Sequence, residues 1–428
     1  MAKKISGVKG MEDLFDSEEV QKWLKVEQTA RRVFKPAGFQ EIRTPILEES
    51  DLFERSVGET TEIVEKEMYT LLDRNDKRLA MRPEGTAPIV RAFVEHFTSH
   101  NVQEARFLYM GPMFRYERPQ KGRLRQFHQI GAEVFGSDHP LLDAEMISLV
   151  HRLFTELGLE SFQLQLNSLG SRDDREKYRA TLAKFLDGIK DRLCEECQRR
   201  IVRNPLRALD CKKPGCIEAT ANAPLLPDSL APESAEHFAV VQAGLKSQGV
   251  EFSLNPRLVR GLDYYEKTVF EFTSGELGAQ NAVAGGGRYN DLVQELGGPA
   301  VPAIGFALGM ERLVSILPEE AGKSSGAPRV YLLGLDPQSE QWLFGQLREL
   351  RAIGAVVELD FGGVSLKSKM RRADRWKAEW VVLLGEEERK RGVAILRDMQ
   401  NQSQEEVPMS ELFMRLTSRL PTMHFLKM

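Results

Sequence analysis

Between about residues 170 and 250 the character of the sequence changes to charged, helix-period sequence carrying the cysteines, with strand-like runs before it and strands returning at Phe252. A sheet interrupted in this way is completed from both sides, so the middle segment reads as an inserted helical domain. Before it come a helix over Ser17–Phe34 and an alternating, strand-like stretch from Gly38 to Leu47. Met68–Leu72 and Leu79–Arg82 follow as a hairpin around Arg74-Asn75-Asp76-Lys77, and two more strand-like runs lie around Phe114 and Phe127. After the insertion, strands are expected from Phe252 to Phe272 and near Val283, and an apolar helix from Ala303 to Leu317. Pro318 to Gly326 has the composition of a linker. Beyond it Val330–Leu335, Ala355–Asp360 and Trp380–Gly385 alternate with helical stretches, the pattern of a small α/β domain with partly parallel strands. The expected boundaries are 1–168 and 251–318 for a core in two parts, 169–250 for the insertion, 319–328 for the linker and 329–428 for the C-terminal domain.

A length of 428 residues accommodates these units, and a net charge of −4 excludes general electrostatic coating of nucleic acid. Any nucleic-acid site must be a local basic patch. The two lysines near the N-terminus are not followed by an apolar run, which argues against a signal peptide. No stretch of about 18 apolar residues is present, so a cytoplasmic protein is expected.

All four cysteines fall in one short span, as Cys194-x2-Cys197 and Cys211-x4-Cys216. Two close pairs can build a tetrahedral zinc site. The second spacing is at the loose end of that pattern, which favours free, partly buried thiols, and a reducing cytosol disfavours disulfides. His96 and His100 are four apart but lack the glutamate of a zinc-protease helix, and read as helix-surface histidines.

Two stretches concentrate chemistry. From Phe114 to Phe127, five cations face one carboxylate, a density that repels itself unless an anion binds. On a hairpin, Arg115 and Glu117 would share one face and Arg123, Arg125 and Phe127 another, offering guanidinium forks to phosphates and a ring for a base to stack on. A solvated basic hairpin is the plainer reading. In Arg260-Gly261-Leu262-Asp263-Tyr264-Tyr265, a glycine permits a tight turn while two phenols stand beside a permanent cation. That suits a pocket for a small polar molecule with an anionic partner; a structural turn with aromatic packing would also produce it. No phosphate loop of the Gly-x4-Gly-Lys-Ser/Thr type occurs, and Gly285-Gly286-Gly287 does not fit the dinucleotide fingerprint.

Phe114-Arg115-x-Glu117 with the basic loop and Arg123-x3-Phe127 resembles the second signature motif of class II aminoacyl-tRNA synthetases. Gly305 to Leu313, containing Arg312, resembles the third, and Gly38 to Pro45 the first. Within that class, Arg82-Pro83-Glu84-Gly85-Thr86, Leu258 to Tyr265 and Gly285 to Tyr289 look like the histidyl-tRNA synthetase family, over nearly the whole chain. The class I signatures are absent.

The resemblance implies an α+β core with an antiparallel sheet and flanking helices, a homodimer formed through the first motif, and a C-terminal anticodon-binding domain. It implies ATP-dependent activation of L-histidine, with Mg²⁺ accompanying ATP, followed by charging of the cognate tRNA. Arg115 would grip the α-phosphate and the substrate carboxylate, Glu117 the adenine amino group, and Phe127 the adenine face, while Arg123 and Arg312 hold the outer phosphates. Glu84 and Thr86, with Gln129, would receive the α-ammonium group, Gly85 would stand with them among the histidine-binding residues, and Glu133 and Tyr265, beside Tyr264, would grip the imidazole. Arg260 would be the decisive cation. Arg118 and Gln120 would approach the acceptor end of tRNA, and Lys367, Arg371 and Arg375, recurring every four residues, would form an anticodon-binding stripe. Two rivals remain: a histidine-sensing regulatory paralogue without catalysis, and a pure RNA-binding or stress-sensing module. Loss of the C-terminal domain and of the ATP motifs would mark the first; this chain keeps Arg115, Phe127, Arg260 and Arg312.

Overall fold

The computed structural model describes residues 5–15, 17–58, 61, 63–98, 104–120, 122–209, 211, 213–259, 264–278, 281–322, 327–362 and 365–419. The chain divides into two compact units, Met1–Gly322 and Lys323–Met428.

The first unit is built on an eight-stranded sheet. Its spatial order is Gln40–Glu41, Ala105–Phe114, Gln126–Phe135, Ala303–Gly309, Ala282–Arg288, Glu266–Thr273, Gln163–Ser168 and Ser253–Leu254. The six central strands are antiparallel, and each two-residue edge strand pairs in parallel. Strands from before and after the insertion therefore pair in one sheet. Ser17–Phe34 and Pro140–Glu156 cover one face, and their apolar side chains join a core with Val134, Leu166, Phe270 and Phe306. The opposite face packs on the helix Thr86–His96 through Ile89, Val90 and Phe93.

The segment read as an apolar helix from Ala303 to Leu317 divides instead. Ala303–Gly309 is a strand between two others, and only Met310–Ser315 is helical. A strand buried on both faces carries no alternation, so its apolar run has the look of a buried helix. The Gly38–Leu47 stretch also departs from expectation: only Gln40–Glu41 joins the large sheet, and Leu47–Glu49 belongs to a separate three-stranded sheet. Pro45 stands between them without a backbone donor for either ladder. Residues 115–119 lie beyond the strand end, so the face-sharing expected for Arg115 and Glu117 does not arise from a ladder. His100 lies outside the described residues.

Between Ser168 and Ser253 the described residues contain no strand; helices Arg172–Asp187, Glu195–Arg203, Pro214–Ala219 and Pro232–Ser247 follow one another. Tyr178, Leu182, Leu186 and Leu226 form a small core of their own there. The last helix instead contributes Phe238, Val241 and Leu245 to the main core.

In the second unit, Val356–Leu359, Arg329–Gly334 and Trp380–Leu384 are parallel neighbours, and Val393–Asp398 and Ser403–Pro408 extend the sheet antiparallel. Among the described residues no helix is long and apolar enough to cross a membrane.

Candidate active site

A cavity of about 260 Å³ opens on the large sheet beside the start of the Thr86–His96 helix. Its lining is acidic and phenolic at one end, with Glu84, Thr86, Gln129, Tyr264 and Tyr265, and cationic at the other, with Arg115, Arg123 and Arg312.

The acidic end is set by short-range geometry. Glu84 stands one residue before Gly85, the cap of the helix, and its carboxylate accepts from the backbone N–H groups of Thr86 at 2.7 Å and Ala87 at 2.8 Å. It thus caps the first turn, where exposed N–H groups favour an anion. Burial pushes the Glu84 carboxyl above its ordinary pKa, opposed by those N–H groups and by the charge of Arg115. The Thr86 hydroxyl donates to Glu133 Oε1 at 2.8 Å, and the Tyr289 hydroxyl donates to Glu133 Oε2. Glu133 is wholly buried and held well above the ordinary carboxylate range by desolvation. Gly305, its partner on the next strand, leaves it room: a Cβ at that position would fall inside the Glu133 carboxylate and 2.8 Å from the Ala132 carbonyl oxygen. Tyr264 and Tyr265 stack obliquely with centroids 4.7 Å apart, and Tyr264 meets Tyr289 edge-on at 5.5 Å. Gln129 Oε1 is buried without a hydrogen-bond partner, an acceptor left for a ligand.

The cationic end is built from the loop between two strands and the short helix after a third. Arg115 Nε donates to the Pro83 carbonyl at 2.8 Å, and its guanidinium lies 5.1 Å from the Phe127 ring centre. Glu117 pairs with Arg123 at 3.1 Å across the loop, which Gln120 and Arg123 close by mutual backbone hydrogen bonds. Arg312 donates from Nε to the Gly122 carbonyl and from Nη1 to the Ala282 carbonyl. Its proton affinity is lowered first by desolvation and then by the like charges of Arg123 and Arg115. An anion placed among the three would relieve that repulsion. Glu311 lines the cavity beside them and accepts from the backbone N–H of His128 at 2.8 Å.

Most residues selected from sequence thus meet in one place. Gly85 is buried at the helix start behind the lining, with the Tyr109 ring where a Cβ would stand, and Glu133 lies behind Thr86. Arg118 and Gln120 are exposed on the loop, outside the cavity. Arg260 lies outside the described residues. Gly285 does line the cavity, and the triple glycine is neither a turn nor a loop. It sits within the Ala282–Arg288 strand, where a Cβ on Gly286 would stand 2.8 Å from Phe306 Cα. Sequence reasoning gave no role to Tyr289, Gly305 or Glu311, although all three lie inside stretches it singled out.

Comparison with known proteins accounts for nearly the whole chain. The family model described as "Histidyl-tRNA synthetase" matches residues 10–313, and "Anticodon binding domain" matches 343–419. The chain is 49% identical over 403 residues to the "Histidine--tRNA ligase" of Syntrophotalea carbinolica, covering 94% of this chain and 96% of that protein. It is 48% identical over 415 residues to that of Geobacter sulfurreducens, covering 96% and 100%. Among solved structures, apo S. aureus histidyl-tRNA synthetase superposes with a TM-score of 0.80 at 31% identity, over 96% of this chain and 99% of that one.

Proposed function

The chain belongs to the histidyl-tRNA synthetase family, and from that premise we infer how its own residues divide the work. It activates L-histidine with ATP and transfers the histidyl group to the 3′ end of tRNA. The reaction needs no side-chain nucleophile. A histidine carboxylate oxygen attacks the α-phosphorus, the bond to pyrophosphate breaks, and a hydroxyl of the terminal ribose then attacks the acyl carbon and releases AMP. Catalysis lies in alignment and in offsetting charge on the phosphoryl oxygens.

One observation carries the assignment of roles: an anion-capped, phenol-walled end and a three-guanidinium end share a single cavity. We place the α-ammonium group against Glu84, Thr86 and Gln129, whose unpartnered oxygen suits it. The imidazole goes between Tyr265 and Glu133, beside Tyr264; a ring N–H entering there donates to Glu133 in addition to the Thr86 hydroxyl, since a carboxylate oxygen accepts more than one hydrogen bond. Mispaired buried groups would penalise side chains without those nitrogens. Arg115 takes the α-phosphate and substrate carboxylate, Phe127 the adenine face, Glu117 the adenine amino group, and Arg123 and Arg312 the outer phosphates. Arg260 is assigned the charge growing at the α-phosphorus. A Mg²⁺ ion accompanying ATP would be held by a carboxylate of the chain together with substrate phosphates. Glu311, a carboxylate beside Arg312 at the cationic end, fits such an ion, which would neutralise phosphate charge when bound.

In this reading residues 1–168 and 251–318 carry out activation, 169–250 clamps the acceptor stem, Arg118 and Gln120 meet the acceptor end, and 329–428 binds the anticodon. A homodimer is proposed through the first motif, in keeping with exposed Ile46, Leu47, Leu71 and Leu72 around it. The histidine-sensing regulatory alternative gains no support from a chain that also matches an anticodon-binding domain.

The deciding experiment is ATP–pyrophosphate exchange with each of the twenty amino acids. Exchange with histidine alone is expected. Folded protein that binds histidine but exchanges with none would overturn the reading. Arg260→His is expected to lower adenylate formation by roughly two to four orders of magnitude, the scale of losing one oriented donor; near-unchanged exchange would remove its role.

A further inference from the structure

Apart from the cavity, the inserted helices hold a cluster that charging does not use. Cys194, Cys197, Cys211 and Cys216 bring their four Sγ atoms within 4.8 Å of one another, and none is in a disulfide. Ligands about 2.3 Å from a tetrahedral zinc ion stand roughly 3.8 Å apart, so one ion fits with small side-chain adjustments. The spacing between Cys211 and Cys216, loose when read as sequence, is taken up by the fold: Cys211 precedes the Pro214–Ala219 helix and Cys216 lies in its first turn. The first pair brackets the start of Glu195–Arg203 in the same manner.

A second observation concerns the sulfur itself. The backbone N–H of Cys194 donates to Cys216 Sγ at 3.2 Å and so orients it toward the other three sulfurs. The surrounding sequence supplies compensating charge. Residues 190–216 contain eight Lys and Arg against four Asp and Glu, which offsets the double negative charge of a zinc tetrathiolate. The local core has eleven buried residues among those described, Cys197 and Cys216 included, and Cys194 and Cys211 pack against it, so a metal held by the four would tie that core together and supply folding energy.

We propose that these four thiolates bind one zinc ion as a structural site. Each S–H gives its proton to solvent as the corresponding S–Zn bond forms. Four protein ligands complete the coordination sphere, so the ion holds the insertion together and has no open position for chemistry.

The chain contains no other cysteine, which makes thiol counting on the intact protein unambiguous. Protein purified from zinc-supplemented medium should hold one zinc per chain by elemental mass spectrometry. Its thiols should resist a chromogenic disulfide reagent until a chelator is added. Cobalt(II) put in its place should give the intense visible absorption of a tetrahedral thiolate complex. Cys211→Ser, at a half-buried ligand, should weaken zinc binding by more than about a hundredfold, beyond the usual cost of losing a mere supporting contact. Zinc-free protein with four freely reacting thiols would overturn the proposal. Stoichiometric zinc retained in both Cys211→Ser and Cys197→Ser would do the same. Should the buried Cys197→Ser variant fail to fold, the thiol count on the native chain still decides.

Discussion

Thr86 holds two buried carboxylates at once: its backbone N–H donates to Glu84 at 2.7 Å and its hydroxyl donates to Glu133 at 2.8 Å. One residue at the start of a helix therefore fixes the spacing between the acid proposed to face the ammonium group and the acid proposed to face the ring. That spacing belongs to the helix–strand packing and not to a flexible loop, so small changes at position 86 should be read out as substrate affinity.

Thr86→Val keeps the shape and removes the hydroxyl donor. Leaving a buried acceptor unsatisfied costs about 1–3 kcal/mol. The KM for histidine in pyrophosphate exchange should rise roughly tenfold to a hundredfold, with the KM for ATP little changed, and Thr86→Ser should restore most of the loss. Equal effects on both substrates would show that position 86 acts on stability alone.

Gly305→Ala should be far more damaging than an added methyl group usually is. The new Cβ would overlap the Glu133 carboxylate, forcing it from its bonds to Thr86 and Tyr289, and would press on the Ala132 carbonyl oxygen, which as backbone of the neighbouring strand cannot yield without shifting the ladder. A loss of about 1–3 kcal/mol is the usual scale of overpacking, seen as a lowered Tm together with weakened histidine-dependent exchange. An unperturbed Tm with normal histidine KM would mean that Glu133 has another position to occupy.

The legible part of this fold was where local pattern and spatial role coincide. The basic loop between Phe114 and Phe127 announced itself by charge density, and its strands lie where the flanking apolar runs put them. Ala303–Gly309 did not, because burial on both faces removes the alternation that marks a strand. The pairing of Tyr289 with Glu133 joins residues far apart in sequence and has no local signature. Arg115 and Phe127 were recognisable through the motif that contains them, but their stacking follows from the hairpin's register, which sequence alone does not set.

Histidine binding should depend on pH through Glu84. Burial raises its carboxyl above the ordinary value, so the free folded protein keeps the proton over a window where the unfolded chain has lost it. Folding stability from this group accordingly falls as pH rises through that window. A bound ammonium group favours the carboxylate, so the rise in Tm produced by histidine should grow as pH rises across the same interval. Substrate imidazole titrates near about 6.5 and adds its own slope, so Glu84→Gln is the control: it should remove the carboxyl's part of the dependence. Identical slopes in both proteins would exclude Glu84 as the partner of the ammonium group.

The Leu366–Arg375 helix separates structural cations from available ones. Lys369 is buried and donates to the Gly334 carbonyl at 2.5 Å and to Glu340 at 3.0 Å, while Arg372 forks onto Asp360 at 2.6 and 2.7 Å. Lys367, Arg371 and Arg375 are exposed, and no ion pair holds them among the described residues. Neutralising these three should raise the KM for tRNA and lower the salt dependence of tRNA binding by about two, since each phosphate contact on a single strand contributes about 0.7 to the slope. Amino-acid activation, which takes place without tRNA, serves as the control for folding. Lys369→Ala should behave differently, lowering the Tm through the loss of a buried, doubly bonded ammonium group. Should the triple variant charge tRNA with unchanged KM and salt slope, the anticodon face must be sought on another surface of this unit.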